Sequence, residues 1–429
     1  MAAAEYPKLR LDQSMALFEE AQRLSPGGVM GIRRPYNFVQ GEYPIYIDRG
    51  YGGHIVDVDG NDYIDMLCAY GPIILGYNEP EINYEVIRQM TAKGFCFSLV
   101  QKAQNDFERK ITEIVPCAEQ VIPVKTGSDA TTLATRIARG YTGRTMILRC
   151  GYHGWHDWCV ESHGGVPEET LALTDEFEYG EIESLEAKLA AHKGQVACII
   201  ITPVGHPGAK PIIPPPPGYL QAVRDIATRE KVVLIFDEIR TGFRVAMGGA
   251  QERYGVTPDL ATFGKAVANG YPLSMVAGKR EFMSVCEKKV FVSSTYFPNS
   301  LEFVAALKCL EILEREKVQD SIWARGTKFL ERLTRVVKDS GVPATVSGIP
   351  PMPYLTFDQA AHEGPGSPGE KVYKARREYF YTQTIRRGLF VQPYHHWYIA
   401  HRHTDADLER ALWAIQESLE LTAKKFPAK

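Results

Sequence analysis

Through its middle third the chain alternates short apolar runs with helix-length amphipathic segments, and few folds tolerate that rhythm. The runs at 121–124, 145–148, 197–202 and 232–236 are too short to be helices and are apolar at consecutive positions. Such strands are buried on both faces. The segments 107–114, 130–141, 182–191 and 219–229 carry apolar residues at helical spacing instead. Strand and helix in alternation predict an α/β domain, a mainly parallel sheet between helices. Its functional groups should lie at the carboxyl ends of the strands.

The flanks read differently. Residues 12–24 have helical spacing and stop at Ser25-Pro26-Gly27-Gly28. A meander follows over 45–47, 54–58 and 63–64, with Asp59-Gly60 as a hairpin turn. From Leu301 a long helical stretch, 301–316, leads into a further helix and strands near Tyr354 and Leu389. The expected division is an N-terminal segment 1–65, a large domain 66–300 and a C-terminal segment 301–429. The two terminal segments should pack together as a smaller α+β domain. The Pro-rich stretch 203–217 is expected to be a rigid surface loop.

With 429 residues the chain can bury a sizeable core, and a formal net charge of −3 offers no basic excess for nucleic acid or an anionic membrane. No apolar run approaches the roughly 20 residues that span a bilayer. Residues 1–8 lack the apolar core of a secretory leader. Eight scattered cysteines without a CxxC pair are expected to be thiols in a reducing compartment, so the expected location is cytoplasmic.

Four features converge at the expected strand ends. Thr126-Gly127-Ser128-Asp129-Ala130 opens a helix, as an anion site or as a plain N-cap. Asp237 ends the strand 232–236, where a carboxylate can serve a protonated ring nitrogen, a helix cap or a salt bridge. Lys265 lies among Phe263, Gly264 and Ala266, neighbours that strip water from an amine and expose its lone pair. Tyr152, inside Gly151-Tyr152-His153-Gly154, offers a ring to stack on a planar group. His153 and His156 are spaced like a metal pair but lack a third ligand. The four histidines at 395–403 suit a polar strand better than a metal. Asp57-Val58-Asp59-Gly60-Asn61 has its glycine misplaced for a calcium loop. No metal is expected.

The run from Gly242-Phe243-Arg244 through Tyr254-Gly255-Val256-Thr257-Pro258-Asp259-Leu260 to Lys265 resembles glutamate-1-semialdehyde aminomutase. More broadly it resembles the class III aminotransferases of pyridoxal-phosphate fold type I, a likeness that extends from Ser25 to Thr404. The resemblance implies that Lys265 holds pyridoxal 5'-phosphate as a Schiff base and moves the substrate proton, while Asp237 pairs with the pyridine nitrogen. It implies that Tyr152 and Ile239 cover the two ring faces and that Gly127 and Ser128 bind the phosphate. Thr295 would reach the partner subunit's phosphate in a homodimer.

Departures from the aminomutase bear on substrate. Thr202-Pro203 stands where the family has Glu-Pro, the segment 155–174 is short, and Ser293-Ser294-Thr295-Tyr296 is bulkier than the family's pattern. Cys68-Ala69-Tyr70-Gly71-Pro72, Lys125-Thr126-Gly127-Ser128-Asp129-Ala130-Thr131, Ala268-Asn269-Gly270-Tyr271-Pro272 and Pro393-Tyr394-His395-His396 are more similar to amine:pyruvate transaminases of the fumonisin type. The expected reaction moves an amino group from a primary amine or ω-amino compound to a keto acid such as pyruvate. The alternative is an intramolecular aminomutase; a racemase or decarboxylase would share Lys265 and Asp237. A cofactor-binding regulator would need a helix-turn-helix module, for which the residues before Ser25 are too few. Tyr70, Arg34 and Arg402 are the candidate substrate residues, each arginine having a salt bridge as its plain alternative.

Overall fold

Ile199, Ile200, Ile201, Leu234, Ile235 and Phe236 are all fully buried, because the strands that carry them lie between two layers of helices. In the computed structural model, which describes residues 4–205, 212–357, 368–393 and 395–427, the central sheet has seven strands. They are β1 (Gln120–Val124), β2 (Met146–Cys150), β3 (Thr174–Glu176), β4 (Val196–Ile201), β5 (Val233–Asp237), β6 (Leu260–Phe263) and β7 (Ser274–Gly278). Their spatial order is β1-β7-β6-β5-β4-β2-β3.

The pairs β6-β5, β5-β4, β4-β2 and β2-β3 are parallel. β7 runs antiparallel to both β6 and β1. The link from β6 to β7 holds only the short turn Lys265–Ala268 and the Gly270 bend. A link without a full helix cannot carry the chain back to a parallel start, so β7 returns in the opposite direction. β3 is short and polar, with no apolar run to announce it, and forms by pairing on β2.

The helix Gly127–Thr142 lays Ala130, Leu133, Ala134, Ile137 and Ala138 against the sheet residues Ile147, Cys198, Ile200, Val233 and Ile235. Small residues on that face let the helix come close, which brings its N-terminus to the ends of β4 and β5. Elsewhere Asp57 pins the Asp-Gly turn by accepting from the amides of Asp59 and Asn61 and from the Tyr63 hydroxyl. Gly60, at φ +87°, supplies the left-handed residue of that turn.

The terminal segments meet in one sheet, where Leu389 and Phe390 pair in parallel with Ile64 and Asp65. We propose the division 1–65, 66–300 and 301–429 on that joining. All eight cysteines are free thiols, and six of them are buried (68, 117, 150, 159, 198 and 309). Among the described residues no helix is long and apolar enough to cross a membrane. Residues 206–211 of the Pro-rich stretch, and Tyr394 of the Pro-Tyr-His-His motif, lie outside the described residues.

Candidate active site

A cavity of about 280 Å³ opens at the carboxyl ends of β4, β5 and β6. Lys265 follows β6 after Gly264 and enters its turn at φ +46°, a left-handed conformation unusual for a residue with a side chain. That backbone turn aims the amine at the cavity, where the surrounding protein encloses it. Burial, reinforced by Arg240 and opposed by Asp237, pushes the amine down from 10.5 to about 7. Near neutral pH much of Lys265 is therefore unprotonated and nucleophilic.

Asp237 closes β5 and is buried. Its Oδ1 accepts from the Ile239 amide at 3.1 Å and the Thr262 hydroxyl at 3.3 Å. Its Oδ2 meets His153 Nδ1 at 2.7 Å. His153 is itself held by its backbone, whose carbonyl accepts from the Thr131 hydroxyl at 2.7 Å. Its Nε2 is buried without a partner among the described residues.

Both readings of the helix start hold at once. Thr126 caps the helix, its hydroxyl accepting from the Asp129 amide at 3.1 Å while Asp129 accepts from the Thr126 amide at 2.8 Å. The Gly127 and Ser128 positions remain open to the cavity at the positive end of the helix. Ser128 Oγ accepts from the Trp155 amide at 3.2 Å, which fixes its rotamer.

Tyr152 and Ile239 both line the cavity. The space depends on missing side chains: a Cβ on Gly127 would sit 2.7 Å from Ile239 Cδ1, and one on Gly264 would sit 2.5 Å from Ser274 Oγ. An amine, a carboxylate, a helix N-terminus and two flat walls thus surround one slot. These groups fit pyridoxal phosphate, which needs a partner for its aldehyde, ring nitrogen, phosphate and two faces respectively.

The structure therefore brings together Lys265, Asp237, Gly127, Ser128, Tyr152 and Ile239. Tyr70 is not among the lining residues, its hydroxyl donating to the Ile32 carbonyl at 3.1 Å and its ring edge-on to His395 at 5.3 Å. Burial raises that hydroxyl to about 12, so it stays neutral. Arg34 donates from Nε to the Val29 carbonyl at 3.2 Å and packs on Gly27, away from the lining. Arg402 is engaged by Glu79 at 3.1 Å and Glu316 at 2.7 Å, joining the C-terminal segment to the helices below. Thr295 is exposed and lies outside the cavity of its own subunit. His156 hydrogen-bonds Thr132 at 2.8 Å, so the two histidines weighed as a metal pair serve different partners.

Of the lining residues left without a cofactor or substrate role at the level of sequence, three carry an imidazole, a guanidinium or an amine. They are His153, Arg240 and Lys125, whose amine pairs with Glu302 at 3.1 Å. His153 and Arg240 each stand within three residues of a residue already singled out, which is the signal that could have found them.

Residues 36–404 match the model of the aminotransferase class-III family. The chain belongs to the class III aminotransferases. It is 56% identical over 414 residues, covering 96% of this chain and 98% of the other, to a 3-aminobutyryl-CoA aminotransferase of Cloacimonas acidaminovorans. It is 34% identical, over 96% of this chain and 99% of the other, to a glutamate-1-semialdehyde 2,1-aminomutase of Brevibacillus brevis. Among solved structures, the internal-aldimine form of FumI from Sphingopyxis sp. MTA144 superposes with a TM-score of 0.90 at 26% identity, covering 97% of this chain and 98% of that one. An omega-transaminase from Sphaerobacter thermophilus follows at 0.86 and 27%, covering 95% and 97%. The fold is that of the fold type I pyridoxal-phosphate transaminases. Pyridoxal phosphate is the cofactor of this class III aminotransferase.

Proposed function

We propose that this class III aminotransferase takes the amino group from a primary amine placed away from a free carboxylate and passes it to a keto acid such as pyruvate. An ω-amino compound or a β-amino acyl thioester has that form. The observation that carries the reading is the enclosed amine of Lys265, lowered to about 7 and set in one cavity with Asp237. The donor class rests on two supports. The 56% identical relative bears the name of an aminotransferase for an acyl-CoA thioester. Arg34 and Arg402, the arginines weighed for a donor carboxylate, are turned to Val29 and to Glu79 and Glu316.

Pyridoxal phosphate, when bound, supplies the aldehyde that captures an amine and the ring that accepts the electron pair released at the substrate carbon. The protein does the rest. Gly127 and Ser128 anchor the phosphate at the helix N-terminus, and Tyr152 and Ile239 hold the ring flat between them. Asp237, aligned by His153, Thr262 and the Ile239 amide, presents a carboxylate to the ring nitrogen. Lys265 Nζ, with a usable lone pair near neutral pH, moves the proton at the substrate carbon.

The active unit is a homodimer in this reading. Thr295 lies near a run of exposed apolar side chains that includes Phe291 and Tyr296, with Phe97 and Leu99 also exposed. A second copy covering that surface would place Thr295 at the partner's phosphate.

An amine-donor screen of the cofactor-loaded enzyme tests the proposal. Donors should bleach the visible absorption of the bound cofactor, and pyruvate should restore it. Sustained product in the absence of any carbonyl acceptor would sink the transaminase reading.

A further inference from the structure

Arg240 lies on the cavity wall with Lys265 and Asp237, three residues beyond the end of β5. The turn that carries it is built to be rigid. Buried Glu238 accepts from the Ala250 amide at 2.8 Å, the Gln251 amide at 3.0 Å and the Thr241 hydroxyl, and its carbonyl accepts from the Gly242 amide at 2.7 Å.

A neighbour on the same turn shows what a structural arginine looks like here. Arg244 is fully buried and spends its terminal nitrogens on the Ile399 carbonyl at 3.0 Å and the Gly71 carbonyl at 2.9 Å. Arg240 has no such carbonyl partners among the described residues; the polar side chain it meets is the Tyr398 hydroxyl. Among the described residues no carboxylate forms an ion pair with it, and its buried Nε has no hydrogen-bond partner. The side chains beside it are Tyr398 and His395, and neither supplies a negative charge: burial raises the tyrosine and lowers the histidine to about 3. Asp237, the carboxylate of the cavity, is occupied by His153, Thr262 and the Ile239 amide.

A half-buried guanidinium on a cavity wall with no counter-charge from the described residues is open to an anion brought in from outside the chain. Its planar donor fork suits a carboxylate, and its place beside Lys265 suits one carried next to the reacting carbonyl.

We propose that Arg240 is the residue that recognises the carboxylate of the keto-acid acceptor. This rests on the transaminase reading and specifies how the second half-reaction selects its substrate. A neutral thioester donor makes no demand on a carboxylate fork. The α-carboxylate of a keto acid does, and Arg240 serves the half-reaction that needs it.

The test uses Arg240→Gln and Arg240→Lys in the full-length, cofactor-loaded enzyme, each checked for wild-type melting and visible absorption. The enzyme is first aminated with excess donor, then mixed with pyruvate or with acetaldehyde, which is pyruvate without its carboxylate. In R240Q the preference for pyruvate over acetaldehyde should fall roughly 10- to 100-fold, the usual worth of a charge-assisted pair, with partial recovery in R240K. Separately, propanoate is titrated against the visible absorption of the cofactor-loaded enzyme. Its apparent Kd should rise at least roughly 10-fold in R240Q. Equal loss with both acceptors, or an unchanged propanoate Kd, overturns the role of Arg240. If no carbonyl accepts the amino group even in the wild type, the transaminase reading fails while the propanoate titration still decides for or against Arg240.

Discussion

His153 Nδ1 meets Asp237 Oδ2 at 2.7 Å across 84 residues of sequence, in a buried pair. One residue lies three beyond β2 and the other ends β5, so the sheet and the Thr131 hydroxyl on the helix together set their distance. His153 acts through Asp237 and is therefore a positioning residue. Replacing it by alanine should raise the Kd for pyridoxal phosphate about 10-fold and lower kcat more than KM. It should also displace the pH titration of the bound cofactor's absorption. Asparagine, whose amide nitrogen can occupy the place of Nδ1, should recover most of the loss. Equal behaviour of the alanine and asparagine variants would count against the assignment.

Lys265 should make the cofactor-free protein less stable at neutral pH than at alkaline pH. Its ordinary value is 10.5 and the fold lowers it to about 7. Below pH 7 folded and unfolded chains both carry the proton, so the folded one bears the whole cost of a buried charge. As pH rises from 7 to 10.5 the folded amine is neutral while the unfolded amine is charged, and the cost fades. Cofactor-free Lys265→Met should thus melt roughly 2–5 °C above the wild type at pH 6.5, with the gap closing by pH 10.5. The same variant should have no turnover, and borohydride should attach the cofactor to Lys265 in the wild type.

Gly127→Ala tests the slot itself. The new methyl would lie 2.7 Å from Ile239 Cδ1, between two residues that face the cavity. Cofactor affinity should fall at least about 10-fold, while melting of the cofactor-free protein shifts by no more than the roughly 1–3 kcal/mol of local overpacking. Equilibrium titration with pyridoxal phosphate and thermal melts separate the two effects.

Arg402→Gln should behave as a structural change. Removing it leaves Glu79, which is buried, without its cation. The melting temperature should drop by a few °C, and KM for pyruvate should change less than about 2-fold. A large rise in KM at constant stability would return Arg402 to substrate binding.

Mixing subunits tests the homodimer. Lys265→Ala and Thr295→Asp should each be inactive alone, the second because it sets a carboxylate against the partner's phosphate. Co-refolded, they should regain up to roughly one quarter of wild-type activity, since half of the dimers are hybrids with one sound site of two. No recovery would mean that Thr295 serves its own subunit or none.

Much of the site was legible in the sequence because its residues are tied to local punctuation. Asp237 ends an unbroken apolar strand. Gly127 and Ser128 open a helix after another strand, and Lys265 follows a third among small neighbours. A strand's carboxyl end is a place that periodicity can find. His153 was harder, since its role depends on a carboxylate on a different strand, and its spacing to His156 suggested a metal instead.

The sequence by itself determined the alternation of strand and helix, the family and the amine that does the chemistry, because these depend on local pattern and on short motifs. Tertiary structure alone decided which charges are spent and which are free. Arg34, Arg402, Arg244 and Arg240 look equally plausible as letters. Arg34 is satisfied by a carbonyl five residues away, Arg402 and Arg244 by a carboxylate or a carbonyl brought from far along the chain, and Arg240 has neither among the described residues. A charge's partners are a property of distance in space, and only the folded sheet sets that distance.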